Sequence, residues 1–152
     1  MVRFSAQSHF MRQDSRVYSA AKIAAAVGSI PNPFHQIVLG AKYGEWETDR
    51  EQLKEAALRR SWNLWYRQER SGQVSLDLNT RAVCLVLAEW YLEPSERGHI
   101  FDTTRAAQMG VDYRRYRSQF KEHHIMLLTW LDVVTAEALE SLQTQLRERN
   151  DI

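Results

Sequence analysis

The sequence predicts an all-α protein: a helical domain that contains a helix-turn-helix and a long C-terminal helix. Apolar side chains recur at the three- and four-residue spacings of amphipathic helices, and Ser, Thr, Asp and Gly stand where helices would begin and end. Convincing strand patterns are missing, since only Gln73-Val-Ser-Leu76 could be extended. The 152 residues are enough for one domain with its own core. We expect a single domain, in which 1–76 form an N-terminal helical part of unknown role and 77–152 carry the helix-turn-helix.

Composition excludes several classes of protein. The hydrophobic and charged fractions, 44% and 26%, are those of a soluble globular chain. No apolar run approaches the roughly 20 residues that a membrane helix needs, and no continuous hydrophobic segment follows the N-terminal basic residues. Cys84 is the only cysteine, which excludes a disulfide framework and favours a reducing cytoplasm. Its apolar neighbours predict that Cys84 is a small buried side chain.

The first two helices are predicted from their end signals. Ser15 is expected to cap a helix that runs to Val27 and ends at Gly28. The prolines of Ile30-Pro-Asn-Pro33 predict an extended bend, because a proline disfavours helix at the residue before it. A second short helix is expected over 34–43, ending before Gly44.

Two longer helices are expected to follow. Thr48-Asp-Arg-Glu51 has the pattern of a capping box and would open a helix that continues to about Arg70. Asp77 or Asn79 is expected to cap the next helix, whose segment 83–92 is apolar nearly all round and therefore central to the core. The inner side of the earlier helix is predicted to carry Leu53, Ala57, Leu58, Trp62 and Trp65.

Residues 102–121 predict a helix-turn-helix. Asp102 would cap a helix over 103–109, and Ala106 is small enough for the position where the two helices touch. Gly110, four residues later, adopts the left-handed conformation of the bend without Cβ strain. Val111 fits the buried apolar position that follows the turn.

The helix after the turn has two different faces. At 100° per residue, Tyr113, Tyr116 and Phe120 share one side, and Arg114, Arg117, Ser118 and Lys121 share roughly the opposite side. A recognition helix requires this division, with one side packed and the other offered to DNA. An ordinary α-hairpin that binds nothing would show the same pattern, and Arg105 occupies a position where this motif usually has an apolar residue.

The pattern stays helical from Asp112 to about Arg149, with a break expected on the way. Its apolar stripe would fold back on 77–92 or pair with a second copy, so a homodimer stays open. Net charge is only +1, but Arg105, Arg114, Arg115, Arg117 and Lys121 face a single acid, Asp112, within 105–121. A basic middle beside an acidic tail suits a protein that touches phosphate with one surface.

Signatures of catalysis or metal binding are not found. The chain has no Walker loop, no Rossmann glycine pattern and no Gly-x-Ser-x-Gly. Adjacent His123 and His124 cannot share one helix face, and the Cys-x-x-Cys spacing of zinc modules is missing. We therefore predict no catalytic residues, no metal site and no cofactor, and we do not expect an enzyme.

The aromatic and basic segment 59–70 has two interpretations. Trp62 and Trp65 are three residues apart and share a face, as core residues do, so burial is favoured. Alternatively they form a surface pair flanked by Arg59 and Arg67 that docks a partner protein or stacks on unpaired bases.

The surrounding order of segments carries a resemblance. Leu85-Val-Leu-Ala-Glu-Trp-Tyr-Leu92 precedes the Ala-x-x-x-Gly-Val turn, and a leucine-bearing helix with Leu131-Asp-Val133 follows it. Over 77–135 this resembles region four of bacterial sigma factors, and still more the C-terminal half of phage late-gene antiterminators of the Q type. The resemblance implies double-stranded DNA as a ligand, RNA polymerase or a sigma factor as a partner, and action in the cytoplasm of a bacterial host. The DNA contacts it implies are Tyr113, Arg114, Arg117, Ser118 and Lys121.

The sequence-based hypothesis is thus a DNA-binding transcription regulator. Arg114 and Arg117 would donate to guanine, whereas Arg105, Arg115 and Lys121 would hold phosphates. Two alternatives stay open: a helical adaptor that binds a host protein, and a simple dimeric repressor or activator that uses the same motif.

Overall fold

The computed structural model describes residues 18–67 and 73–150, the last without its side chain. Within these ranges every regular element is a helix, which confirms the all-α prediction. Contacts between Cα atoms divide them into two compact units. The first unit joins 18–53 to 133–150, and the second unit is 54–132. No helix in the described ranges has the length and apolar character required to cross a membrane.

The first unit begins with two short helices. Helix α1 covers Ala20–Gly28, and the Ser19 hydroxyl caps it by accepting a hydrogen bond from the Lys22 amide. Ser15, the predicted cap, lies outside the described residues. Helix α2 covers Pro33–Leu39, with Asn32 as its cap and proline in its first turn, where a missing amide costs nothing.

A π-helical turn, π1, follows α2 over Gly40–Gly44, so the predicted helix over 34–43 continues in a wider form. Gly40 is required there because a Cβ atom would overlap the carboxylate of Asp49. Glu45 ends the turn with a left-handed φ of 56°.

Helix α3 covers Glu47–Arg67, and residues 68–72 lie outside the description. It begins one residue before Thr48, so the predicted capping box stands inside the first turn and not at the cap. Its buried side is a four-residue repeat, made of Leu53, Ala57, Ser61 and Trp65. Leu58 and Trp62, also predicted to face inward, are half-buried.

Helix α4 covers Leu76–Tyr91 and begins at a cap that the sequence did not single out. Ser75 accepts the hydrogen bond from the Leu78 amide, so the prediction of Asp77 or Asn79 was wrong. Asn79 is buried inside the helix. Cys84 is exposed, which corrects its predicted burial: its apolar neighbours line other sides of the helix. The short helix α5 covers Pro94–Arg97.

The predicted motif forms the rest of the second unit. Helix α6 covers Asp102–Met109, and helix α7, Tyr113–Arg115, follows the turn. A second π-helical turn, π2, covers Tyr116–Phe120 and leads directly into α8, Lys121–Asn150. The expected break is therefore a widened turn within a continuous helix. The apolar stripe of α8 is buried within the chain at Leu127, Leu131, Ala138, Leu142 and Leu146.

One hydrophobic cluster holds the motif in place. It joins α3, α4, α6 and π2 within the second unit, with Trp65 of α3 packed edge-on against Phe120 at 5.6 Å. Each such aromatic pair adds about 1 kcal/mol to the burial of its area. The buried members are Trp65, Val74, Ala82, Leu85, Ala106, Met109, Tyr116 and Phe120.

Candidate nucleic-acid interface

The bend between α6 and α7 has the predicted form. Gly110 has a left-handed backbone with φ of 71°, and Ala106 is buried where the helices meet. The Val111 amide donates to the Ala106 carbonyl at 3.1 Å and the Gly110 amide to that of Ala107 at 3.1 Å. This pair of bonds is a Schellman motif, which satisfies carbonyls that a helix end leaves unpaired.

The Arg81 side chain of α4 is hydrogen-bonded to the bend. Arg81 donates from Nη1 to the Met109 carbonyl at 3.1 Å, and its Nη2 lies 2.9 Å from the carboxylate of Asp77. A Cβ atom on Gly110 would come within 2.9 Å of Arg81 Nη1. The backbone conformation favours glycine here, and any larger residue would also displace the end of the Arg81 side chain.

The packed side of the second helix is only partly as predicted. Asp112 caps it by accepting from the Arg114 amide at 2.8 Å. Tyr116 and Phe120 are buried, but Tyr113 is 40% exposed. The assignment of Tyr113 to the packed face was wrong, because it lies at the helix start, beyond the cluster that covers the other two rings.

The water-facing side carries three arginines. Arg114, Arg115, Arg117 and Ser118 are exposed together with Tyr113. Arg117 donates to the Tyr113 hydroxyl at 3.1 Å and Arg115 to the side chain of Gln119 at 2.9 Å. Among the described residues, none of these three arginines is paired with a carboxylate. They form a compact positive surface, which we call the arginine face.

Lys121 departs from this face. A π turn contains more residues per turn than an α-helix, so π2 rotates the following positions relative to Arg114 and Arg117. Lys121 Nζ lies 2.8 Å from Asp102 Oδ2 of α6. The carboxylate predicted to cap α6 therefore binds a side chain instead, and Phe101 occupies the cap position.

Arg105 is also held within the chain. Its guanidinium, 16% exposed, donates to both carboxylate oxygens of Glu89 at 2.8 and 3.0 Å and to Asp102 at 3.0 Å. These pairings use three of the five N–H groups of the guanidinium. Arg105 and Lys121, both predicted to contact phosphate, thus take part in ion pairs within the molecule, which we call the charged cluster.

Glu89 is the centre of the charged cluster and the residue that the sequence analysis missed. It is 2% exposed, and His124 Nε2 lies 3.0 Å from its Oε2. Burial alone would raise the pKa of Glu89, but the adjacent His124 ring and the Arg105 guanidinium, which donates two hydrogen bonds, outweigh burial and lower it to about 2. The hydrogen bond that Lys121 donates lowers the pKa of Asp102, and the hydrogen bonds that Arg105 donates to Glu89 raise the pKa of Arg105.

A signal for this cluster was present in the sequence. Glu89 interrupts the apolar segment of α4, and Arg105 occupies a usually apolar position of the motif. Each residue alone is an exception to its pattern, but a buried charge requires a partner, so the two exceptions explain each other.

A second buried network, uncharged, lies beneath π2. Trp65 Nε1 and the Ser61 hydroxyl both donate to Asn79 Oδ1, at 3.1 and 2.6 Å. Since Ser61 has one proton to give, His123 Nε2, at 2.7 Å, must donate to the Ser61 oxygen. His123 is stacked on Trp65, and its buried Nδ1 has no partner among the described groups. Burial lowers the pKa of His123 to about 4, so the ring is neutral.

In the aromatic and basic segment of α3, Trp62 and Trp65 face the core, which is the interpretation that the sequence favoured. Trp65 is fully buried and Trp62 packs half-buried against the same cluster, so they do not form a surface pair. Arg59 and Arg67 are exposed. The exposed aromatic ring of this helix is Tyr66, at 71%.

No three His, Cys, Asp or Glu side chains are grouped as metal ligands anywhere in 18–67 and 73–150. Comparison of the chain with protein-family models, with curated proteins and with solved structures gave no match.

Proposed function

We propose that this protein binds double-stranded DNA sequence-specifically and regulates transcription, with the start of the second motif helix placed in the major groove. The arginine face carries this proposal. Its three guanidinium groups lie within four positions directly after the bend, in water and without carboxylate partners, while the other cations of the motif are ion-paired. Recognition helices contact base edges with their N-terminal residues, which is where this face lies.

The face assigns different roles to its residues. Arg114 and Arg117 donate to guanine O6 and N7, and Tyr113 and Ser118 contact neighbouring base edges or sugar. Arg115, whose guanidinium lies 5.7 Å from the Phe120 ring, holds a phosphate. Because Arg105 and Lys121 are committed to carboxylates, we expect only about three phosphate or base cations and a slope near −3 in log K against log[salt].

The finer function is proposed from the resemblance over 77–135. It is antitermination of phage late genes in a bacterial host, with RNA polymerase as the partner. The order of elements supports it: an apolar helix, the bent pair and a long leucine-bearing helix follow one another in the structure as in that family.

The experiment is selection of bound DNA from a random duplex pool, followed by anisotropy titration of the selected site. Arg114→Ala and Arg117→Ala are each expected to lose preference at one base pair and to cost about 1–3 kcal/mol. Arg115→Ala is the matched control, since it should weaken all sequences equally and reduce the salt slope by about 0.9. If the selected sequence survives alanine at both 114 and 117, the proposed readout is wrong.

A further inference from the structure

A groove in the second unit, lined by no residue of the arginine face, combines cations with an aromatic ring. It lies between α3 and α8 and has a volume of about 200 Å³. Its lining residues are Arg60, Asn63, Leu64, Arg67 and Trp130. The Arg60 guanidinium carbon lies 4.7 Å from the centre of the Trp130 ring, as in a cation–π pair.

The charge of this groove points to an anionic ligand. Arg60 and Arg67 stand on one side of α3, seven residues and two turns apart, and both are exposed. Neither has a carboxylate partner among the residues that the structure describes, and no acidic side chain lines the groove. A negatively charged group that enters would meet two guanidinium forks.

The Trp130 ring and the small volume of the groove narrow the class of anionic ligand further. Pockets for whole drug-sized ligands measure about 300–1,000 Å³, so this groove takes one flat ring system rather than a whole ligand. Guanidinium planes and aromatic rings are the two surfaces on which unstacked bases are held, and here they are already paired. The Asn63 amide supplies a donor and an acceptor for the edge of a base.

From this juxtaposition we propose that the groove binds single-stranded nucleic acid, with one base stacked on the Trp130–Arg60 pair and a phosphate held by Arg67. Duplex DNA does not fit, because its bases are stacked inside the helix and present only their edges. This activity goes beyond the duplex binding proposed above and uses none of the same residues. An antiterminator-type regulator would then hold two different forms of nucleic acid on separate surfaces.

The test is anisotropy titration of the full chain with a labelled oligothymidine of about a dozen nucleotides, a length within the usual site sizes. Arg60→Ala is expected to weaken binding about tenfold, as loss of one stacked base does. Arg59→Ala is the matched control: it removes the same charge one residue away, outside the groove lining, and should change affinity by no more than about twofold. Arg60→Lys keeps the charge but lacks the planar surface, so this variant should bind oligothymidine as weakly as Arg60→Ala does.

Trp130→Phe supplies an independent readout. Binding of oligothymidine should quench the tryptophan fluorescence of the natural chain. In the variant the quench should be smaller by the contribution of Trp130, while the circular dichroism spectrum stays that of a helical protein. The Arg114→Ala/Arg117→Ala double variant should bind oligothymidine normally, so failure of the duplex proposal and failure of this one are distinguishable.

Three results would overturn the proposal. Equal weakening by Arg59→Ala and Arg60→Ala would mean a diffuse charge effect. Displacement of oligothymidine by polyglutamate at equal charge concentration would identify a site for acidic protein. Thymidine monophosphate that binds as tightly as the oligomer would identify a site for free nucleotide.

Discussion

The two sides of the helix-turn-helix use the same kind of residue for opposite purposes. Behind the bend, Arg105 and Lys121 are held by Glu89 and Asp102 in the charged cluster. In front of it, the arginine face of 114, 115 and 117 stands in water. Sequence position alone does not separate these cations, since all lie within 105–121. Their exposure does, and exposure decides whether an arginine is available to an external phosphate.

The physical reason is the cost of removing charge from water. A buried guanidinium must be paired, and the pairing fixes the geometry of the helices that contribute the partners. An exposed guanidinium is screened by solvent and keeps its donors for a ligand. We therefore expect the back of the motif to determine its stability, and the proposed function assigns ligand binding to the front.

The largest effect is expected from breaking the charged cluster. Glu89→Leu would leave Arg105 buried with Asp102 as its only carboxylate, and should lower the free energy of unfolding by about 3–5 kcal/mol. Urea unfolding followed by circular dichroism measures this change.

The matched control for that experiment is the double variant Glu89→Leu/Arg105→Met, which removes both charges and should recover most of the loss. A single variant that unfolds at the natural urea midpoint would show that the cluster contributes nothing to stability.

The second-largest effect on stability is expected when the pH is lowered, because acid protonates His123 in the uncharged network. The pKa of His123 is about 4 in the folded protein, whereas that of a free histidine side chain is 6.5, so the unfolded chain binds the extra proton between these pH values. Stability is therefore full above pH 6.5 and falls as the pH drops to 4, by about 3 kcal/mol. His123→Phe should flatten this part of the stability curve. The loss due to Glu89, whose pKa is also lowered, belongs below pH 4.5. An unchanged slope in the variant would assign the acid effect to other groups.

The bend itself should give a smaller effect. Gly110→Ala forces a left-handed conformation on a residue with a Cβ atom and moves Arg81, which should cost about 1–2 kcal/mol in thermal or urea unfolding. Gly98→Ala is the control in the same unit. Its φ is −64° and the nearest atom to an added Cβ is 3.9 Å away, so stability should be unchanged or slightly raised. Equal losses at both positions would contradict a special role for Gly110.

The smallest effect on stability is expected on the arginine face. Arg114→Ala should change the free energy of unfolding by no more than about 0.5 kcal/mol, because its side chain is exposed and has no carboxylate partner among the described residues. Arg105→Ala, measured beside it by the same urea titration, should be clearly destabilising, since it leaves Glu89 buried with His124 alone. Similar losses for the two variants would remove the distinction between the two sides of the motif.

Prediction succeeded where local geometry is decisive and failed where distant residues intervene. Spacing predicts Ala106 and Gly110 correctly, because a bend of this kind restricts the residues that form it, whereas Val111, predicted to be buried, is only partly buried. The same local signals placed caps at Asp77 and Asp102, but Ser75 and Phe101 hold those positions. Asp102 was available to cap α6, and ion pairs with Arg105 and Lys121 claim its carboxylate instead.

By itself, the sequence determined the helices, the bend at Gly110 and the presence of an amphipathic basic helix after it, because each depends on neighbours within one or two turns. Only the tertiary structure decided which cations remain in water. Glu89 reaches Arg105 from sixteen residues away, and π2 turns Lys121 toward α6. Burial and pairing of charge are properties of the packed chain, and no pattern along a single helix contains them.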